Sequence, residues 1–242
     1  MNNHFQNYES TIFYDEMVDK SRNPRPGNET IYKQLNKLST HFLHEKQRTA
    51  EASMMNMGIT FNVYSEEGGT ERIIPMDVIP RVIHSNEWKT LEKGLKQRIY
   101  ALNQFLLDIY GDQKIIKDKV IPREVIESSK GFLPQCMGIR PKKDIYIHIT
   151  GTDLIRDNHG QFLILEDNLR CPSGVSYMLA NRDISKNLFS SVLQNNGVLS
   201  IAEYPAKLFE VLKYVSGKHD PTIAVLTPGI YNSAYYEHSY LS

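Results

Sequence analysis

The stretch Phe162-Leu163-Ile164-Leu165-Glu166-Asp167-Asn168-Leu169-Arg170-Cys171-Pro172-Ser173-Gly174 constrains this chain more than any other. An apolar run stops abruptly at two acids and an amide, with a cation and a Pro-Ser-Gly turn close behind. A short apolar run bounded by turn residues predicts a strand. Side chains on a strand change face at every residue. Glu166 and Asn168 therefore share one face, and Asp167 takes the other. A carboxylate and a neutral carbonyl oxygen side by side make half a cage for Mg²⁺, which takes oxygen ligands and completes its shell with water and substrate phosphates.

A solvated strand end explains the same residues equally well in isolation. The adjoining Pro-Ser-Gly-Val-Ser segment tips the balance. Ser173, Gly174 and Ser176 offer hydroxyls and accessible backbone N–H groups just past the carboxylate, as an anion site needs. Arg170 can pair with phosphate or carboxylate through two parallel hydrogen bonds. Asp153, Arg156 and Asp157 lie on the preceding segment. They read either as a polar hairpin edge or, paired beside Glu166, as groups facing the same pocket, with a cation placed to stabilise a developing charge. A third group, Thr227, Asn232, Ser233 and Tyr235, comes after an apolar run. A loop after a buried strand is a frequent ligand position in α/β sheets; a plain connection is equally consistent.

The chain has 242 residues, enough for one or two domains. Lys plus Arg and Asp plus Glu both number 28, so no global field calls for nucleic acid or an anionic membrane. No apolar run approaches a membrane span, and the N-terminus lacks a secretory pattern. Cys136 and Cys171 have no metal-type spacing and read as free thiols of a reducing cytosol. No phosphate-binding loop, dinucleotide fingerprint or zinc motif is present.

Along the chain, Pro24, Pro26 and Gly27 make 1–27 read as an N-terminal arm. Ile31, Leu35, Leu38 and Phe42 form one helical stripe within 28–57, as one helix or two. Residues 59–64 and 72–74 predict a hairpin turning at Glu66-Glu67-Gly68-Gly69. Trp88, Leu91, Leu95, Ile99, Leu102, Leu106 and Ile109 predict a helix over 86–110 that packs its apolar face on a sheet. A short helix is expected after Pro122. Strands are expected at 146–149, 161–165 and 222–226, and helices at 183–195 and 201–216.

The chain resembles the circularly permuted type 2 ATP-grasp proteins. The stretches that carry the resemblance begin with Tyr14-Asp15-Glu16-Met17, Gly58-Ile59-Thr60-Phe61-Asn62-Val63-Tyr64 and Pro75-Met76-Asp77-Val78-Ile79-Pro80-Arg81. They continue with Glu87-Trp88, Gln97-Arg98-Ile99-Tyr100-Ala101-Leu102-Asn103 and His148-Ile149-Thr150-Gly151-Thr152-Asp153-Leu154-Ile155-Arg156-Asp157. Leu165 through Tyr177 and then Leu226-Thr227-Pro228-Gly229 with Asn232-Ser233-Ala234-Tyr235 complete them. Each is modest alone; their order along nearly the whole chain makes the match specific.

The resemblance implies an α/β (mixed α+β) fold: an ATP-grasp-like mixed sheet with packed helices over 28–200, then the start of an incomplete Rossmann-like unit over 201–242. It implies an ATP- and Mg²⁺-dependent ligase that joins a carboxylate, small or peptide-like, to an amine through an acyl phosphate. Glu166 and Asn168 fall where such proteins, and the similar eukaryotic glutathione synthetases, carry metal ligands. Arg156 and Arg170 are then the candidate catalytic cations, and Asp153, Ser173, Gly174, Ser176, Asn232 and Ser233 the candidate substrate or phosphate contacts. Complete members continue beyond the Asn-Ser-Ala-Tyr segment. The resemblance therefore implies that this chain is an N-terminal part, inactive without a C-terminal half that a separate gene could encode. A non-catalytic remnant or substrate-binding module of the same fold is the alternative; a metal-dependent phosphate-ester hydrolase is weaker, because no second pair of carboxylates is evident.

Overall fold

The computed structural model describes residues 4–9, 13–63 and 70–242. The fold is mixed α/β, with two compact units built from interleaved pieces of chain. One comprises Met1–His84, Arg156–Leu163 and Ser173–Ser242; the other comprises Ser85–Ile155 and Ile164–Pro172.

The first unit has the larger core. Helix α1 (Glu29–Leu35) buries Ile31 and Leu35, and α2 (Thr40–Asn56) buries Ala50 and Met54. The predicted stripe breaks between them because the Ser39 side chain accepts a hydrogen bond from Phe42 N–H and caps a new helix. The new helix starts its own phase, which leaves Phe42 at the surface. Strands β1 (Thr60–Val63) and β2 (Thr70–Ile73) pair antiparallel, with Thr60 opposite Ile73, as the β-type pattern predicted. The expected turn at 66–69 lies outside the described residues. Met17 and Val18 join this core, Val18 with no exposed surface. The Asp15 carboxylate holds that segment in place. It accepts hydrogen bonds from the N–H groups of Met17 (2.8 Å) and Val18 (2.7 Å) and from the Tyr8 hydroxyl (2.6 Å).

Three further helices of this unit are α6 (Val175–Leu188), α7 (Ser190–Asn195) and α8 (Tyr204–Ser216). Helix α6 begins well before the expected 183, so Ser176 lies in its first turn rather than in a loop. Leu179, Ala180, Ile184 and Leu188 supply its buried face. Residues 222–226, expected as a strand, form none: no backbone hydrogen bond ties them to another described segment. A strand exists only through its ladder, and no parallel neighbour is described here. The short α9 (Tyr235–Leu241) ends the described chain.

The second unit is built on α3 (Ser85–Ile109), whose C-terminal part packs Ile109 and Tyr110 with Ile126 and Phe132. Two short helices, α4 (Lys114–Lys117) and α5 (Arg123–Glu127), complete that cluster. The rest of the predicted α3 stripe is only half covered, at Leu91, Leu95, Ile99 and Leu102.

Strand β3 (Gly151–Arg156) begins later than expected, where a link was predicted, and pairs with β4 (Phe162–Asn168). Residues 146–149 form no strand because Asn103 takes their backbone donors. Its Oδ1 accepts from Tyr146 N–H (2.8 Å) and Ile147 N–H (3.3 Å), and its Nδ2 donates to the Asp144 carbonyl (2.9 Å). Gly151 opens β3 because a Cβ there would sit 2.8 Å from the Pro172 Cβ.

Ile59 is 1% exposed, so Ile59→Ala should cost about 2–5 kcal/mol in denaturant unfolding. Leu226→Ala, at a side chain 90% exposed, should change stability by no more than about 0.5 kcal/mol. The hydrogen bond to Asp15, then burial and the Asp15 charge, push the Tyr8 phenol up from 10.0 to about 12. Folding raises this pKa, so its stabilisation is complete below pH 10.0 and is lost as pH rises through about 12. The ultraviolet titration step that disappears in Tyr8→Phe should centre near 12 and move down in Asp15→Asn.

Candidate functional site

Strand β4 carries the candidate metal edge. Its alternation is visible in the side-chain contacts: Asn168 Nδ2 lies 3.1 Å from Glu166 Oε1, so both side chains stand on one face, and both are exposed. Asp167 points the other way. Its side chain is 8% exposed and pairs at 2.6 Å with Arg98 of α3, while Thr152 Oγ1 of β3 donates to it at 3.0 Å. Because Thr152 shares a face with Asp167, alternation puts the exposed Asp153 on the face of Glu166 and Asn168. Turning the Asn168 amide by half a rotation sets two oxygens side by side.

That donor set fits a hard divalent cation that keeps water and phosphate in its remaining positions. Among the described residues there is no group of three or more His, Cys, Asp and Glu that could hold a metal by itself. The fit is therefore to a half-cage and not to an all-protein cage. Arg170 is exposed just beyond the strand. Cys136 and Cys171 are free thiols.

Arg156 and the candidates from Ser173 onward belong to the other unit. Arg156 is enclosed rather than presented. Its side chain is 5% exposed, lies 3.5 Å from Glu16, and stacks over the Phe162 ring at 4.1 Å and the Tyr14 ring at 4.9 Å. Glu16 also takes Arg81 in a two-point pair, at 2.8 and 3.1 Å. Tyr14 in turn stacks with Arg25 at 3.9 Å. Charge and ring stacking thus tie the N-terminal Tyr14-Asp15-Glu16-Met17 motif to the tip of the β3–β4 hairpin.

Two of the donors expected to meet a phosphate, those of Gly174 and Ser176, are already engaged. Gly174 has φ of 106°, a conformation that favours glycine, and precedes the first turn of α6. Its N–H points at the Glu237 carboxylate, 2.8 Å from Oε1 and 2.9 Å from Oε2. Ser176 donates to Glu237 Oε2 through both its N–H (3.0 Å) and its hydroxyl (2.7 Å). Glu237 is 5% exposed and Ser176 has no exposed surface. A carboxylate from α9 thus fills the electropositive helix start. Burial, and secondly the Glu237 charge, raise the pKa values of the nearby Tyr177 and Tyr204 phenols.

Ser173 is exposed. Asn232 Oδ1 accepts from Ala234 N–H (2.9 Å) and so organises its own turn, and the Ser233 carbonyl receives the Tyr177 hydroxyl (3.4 Å). Thr227 Oγ1 meets His238 Nδ1 at 2.9 Å. The roles of Glu237 and Glu16 could not be read locally. Glu237 sits in a short polar-aromatic segment with no periodic signal, and Glu16 was notable only within the resemblance.

Known proteins share this chain's sequence over most of its length. The family model described as circularly permuted ATP-grasp type 2 matches residues 80–242. The chain belongs to this family. An uncharacterized protein of Synechocystis sp. is 47% identical over 98% of this chain and 50% of its own length. One from Mycobacterium tuberculosis is 42% identical over 95% of this chain and 41% of its own. A Frankia casuarinae protein named "Putative glutamate--cysteine ligase 2-2" is 34% identical over 95% of this chain and 27% of its own. The chain therefore spans at most about half the length of these ATP-grasp relatives. No helix among the described residues is long and apolar enough to cross a membrane.

In this ATP-grasp chain Glu237→Ala would strand the Gly174 and Ser176 donors. A buried donor left unpaired costs about 1–3 kcal/mol, so urea unfolding should show at least that loss, with Glu237→Gln falling between. A Glu237→Ala midpoint equal to wild type would remove the carboxylate from its structural role.

Proposed function

We propose that this chain supplies one wall of an ATP- and Mg²⁺-dependent carboxylate–amine ligase. The observation that carries the reading is the shared exposed face of Glu166 and Asn168 at the end of β4. Membership of the ATP-grasp family supports the nucleotide, and the printed name of the Frankia relative supports amide formation between a carboxylate and an amine.

Glu166 Oε and Asn168 Oδ1 would hold Mg²⁺ from one side. The ion would shield the phosphate charge of ATP. The buried Asp167, fixed by Arg98 and Thr152, keeps the two ligands turned outward. Asp153 shares their face, and Arg170, exposed just beyond the strand, is the cation nearest in sequence for a phosphate or substrate carboxylate. Arg156 acts as a positioning residue for the hairpin tip.

In the reaction class, the substrate carboxylate takes the γ-phosphoryl group of ATP and releases ADP. The amine then attacks the acyl carbon, phosphate leaves, and the amine gives up a proton. The full reaction belongs to a protein of the relatives' length. The engaged donors at Gly174 and Ser176 favour a second reading for the chain by itself, as a module that does not bind nucleotide.

The test joins this chain to the half of the Synechocystis relative that the match leaves uncovered and measures Mg²⁺-dependent ADP release. Glu166→Ala should lower it by more than the ~10–100-fold typical of losing a group that only supports a metal ligand. Undiminished release in that variant would sink the metal assignment. The 242-residue chain alone should show no thermal shift with ATP and Mg²⁺.

A further inference from the structure

Helix α7 ends at Asn195, and the step that follows, Asn196-Gly197, is the one Asn-Gly pair in the 242 residues. The backbone nitrogen after an asparagine can attack the Cγ of its side chain. Glycine crowds this attack least, because it has no Cβ. Gly197 is exposed, with φ of 60° and open space where a Cβ would stand. Its N–H donates no hydrogen bond among the described residues. The nucleophile is therefore open to water and to base.

The electrophile, by contrast, is held. Asn196 is half-buried, and its Nδ2 donates to Gln34 Oε1 of α1 at 2.9 Å and to the Val192 carbonyl at 2.5 Å. The Val192 bond runs back along α7 and draws the side chain toward that helix, away from Gly197. The Gln34 bond comes from a helix 162 positions away in sequence. Val192 is 6% exposed and belongs to the same core as Leu188 and Phe189, so its carbonyl is a fixed acceptor. Closing a ring onto the Gly197 nitrogen breaks both bonds.

We propose that Asn196-Gly197 is a site of spontaneous deamidation whose rate is set by Gln34. The Gly197 nitrogen gives its proton to base and bonds to Asn196 Cγ. The Cγ–Nδ2 bond breaks, the side-chain nitrogen leaves as ammonia, and a cyclic imide remains. Water then opens the imide at either carbonyl, to aspartate or to isoaspartate. The sum is an amide and water giving a carboxylic acid and ammonia, with no cofactor. The product carries an oxygen where Nδ2 stood, and in isoaspartate the backbone also gains a methylene. Gln34 can turn its own amide to meet the new carboxylate, but the Val192 carbonyl cannot, so the end of α7 loses its bond. The modification is a one-way loosening of α7, and it does not depend on the ligase reading.

The test incubates the 242-residue chain in mildly alkaline buffer and follows its tryptic peptides by mass spectrometry, with electron-based fragmentation to separate isoaspartate from aspartate. Both acids should build up at position 196 ahead of every other asparagine, and Gly197→Ala should suppress them. Gln34→Ala removes one of the two holding acceptors and should speed the reaction ~2–10-fold, the worth of one hydrogen bond. Gln34→Glu keeps an acceptor oxygen and should run near the wild-type rate. Asn187 and Asn195 lie in the same tryptic peptide and report any general unfolding. Asn196→Asp, made directly, should have a lower urea midpoint. Product at 196 no earlier than at Asn187 or Asn195, or undiminished in Gly197→Ala, would overturn the site. A Gln34→Ala rate equal to wild type, or raised equally at Asn187 and Asn195, would overturn the control by Gln34. An unchanged midpoint in Asn196→Asp would overturn the loosening.

Discussion

The buried carboxylate of Asp167 decides which way the end of β4 faces. A charge this enclosed is tolerable only when paired, and Arg98 at 2.6 Å and the Thr152 hydroxyl at 3.0 Å provide the pairing. Strand alternation does the rest. With Asp167 held inward, Glu166 and Asn168 have to face outward together. A one-residue slip would bury the two candidate ligands and expose the acid that anchors them. The half-cage thus rests on a salt bridge on the opposite side of the strand.

In the other unit, charge pairing acts at the N-terminal motif and at the last helix. Glu16 gathers Arg81 and Arg156, and Glu237 closes the start of α6. The fully exposed part of such pairs contributes little. The enclosed members matter more, because removing one partner leaves a charge or donor without water. This is why Arg156, a cation of the type catalysis uses, is better placed to hold the hairpin tip than to touch a substrate.

Much of the organisation was legible from the chain. The break at Ser39 aside, α1 to α3, the β1–β2 strands and α8 follow hydrophobic period, which is a local property. The errors share one cause. Residues 146–149 have strand composition, but the Asn103 side chain takes two of their N–H groups. Residues 222–226 have strand composition and strand alternation, but no neighbour to bond among the described residues. Helix α6 starts early because Gly174 and a distant carboxylate make its first turn favourable. A partner far away in sequence leaves no mark on local pattern.

For the candidate site the division is the same. Sequence alone determined that Glu166 and Asn168 share a face, because the period of a strand is two whatever it packs against. It also determined, through ordered motifs along the chain, the circularly permuted ATP-grasp family. Only the tertiary structure decided that Asp167 is held by Arg98, that Arg156 is enclosed by Tyr14 and Phe162, and that the donors of Gly174 and Ser176 are met by Glu237. The Arg98–Asp167 and Ser176–Glu237 contacts join residues 69 and 61 positions apart. Folding sets such distances by burying apolar surface elsewhere, so no inspection of neighbouring residues reveals them.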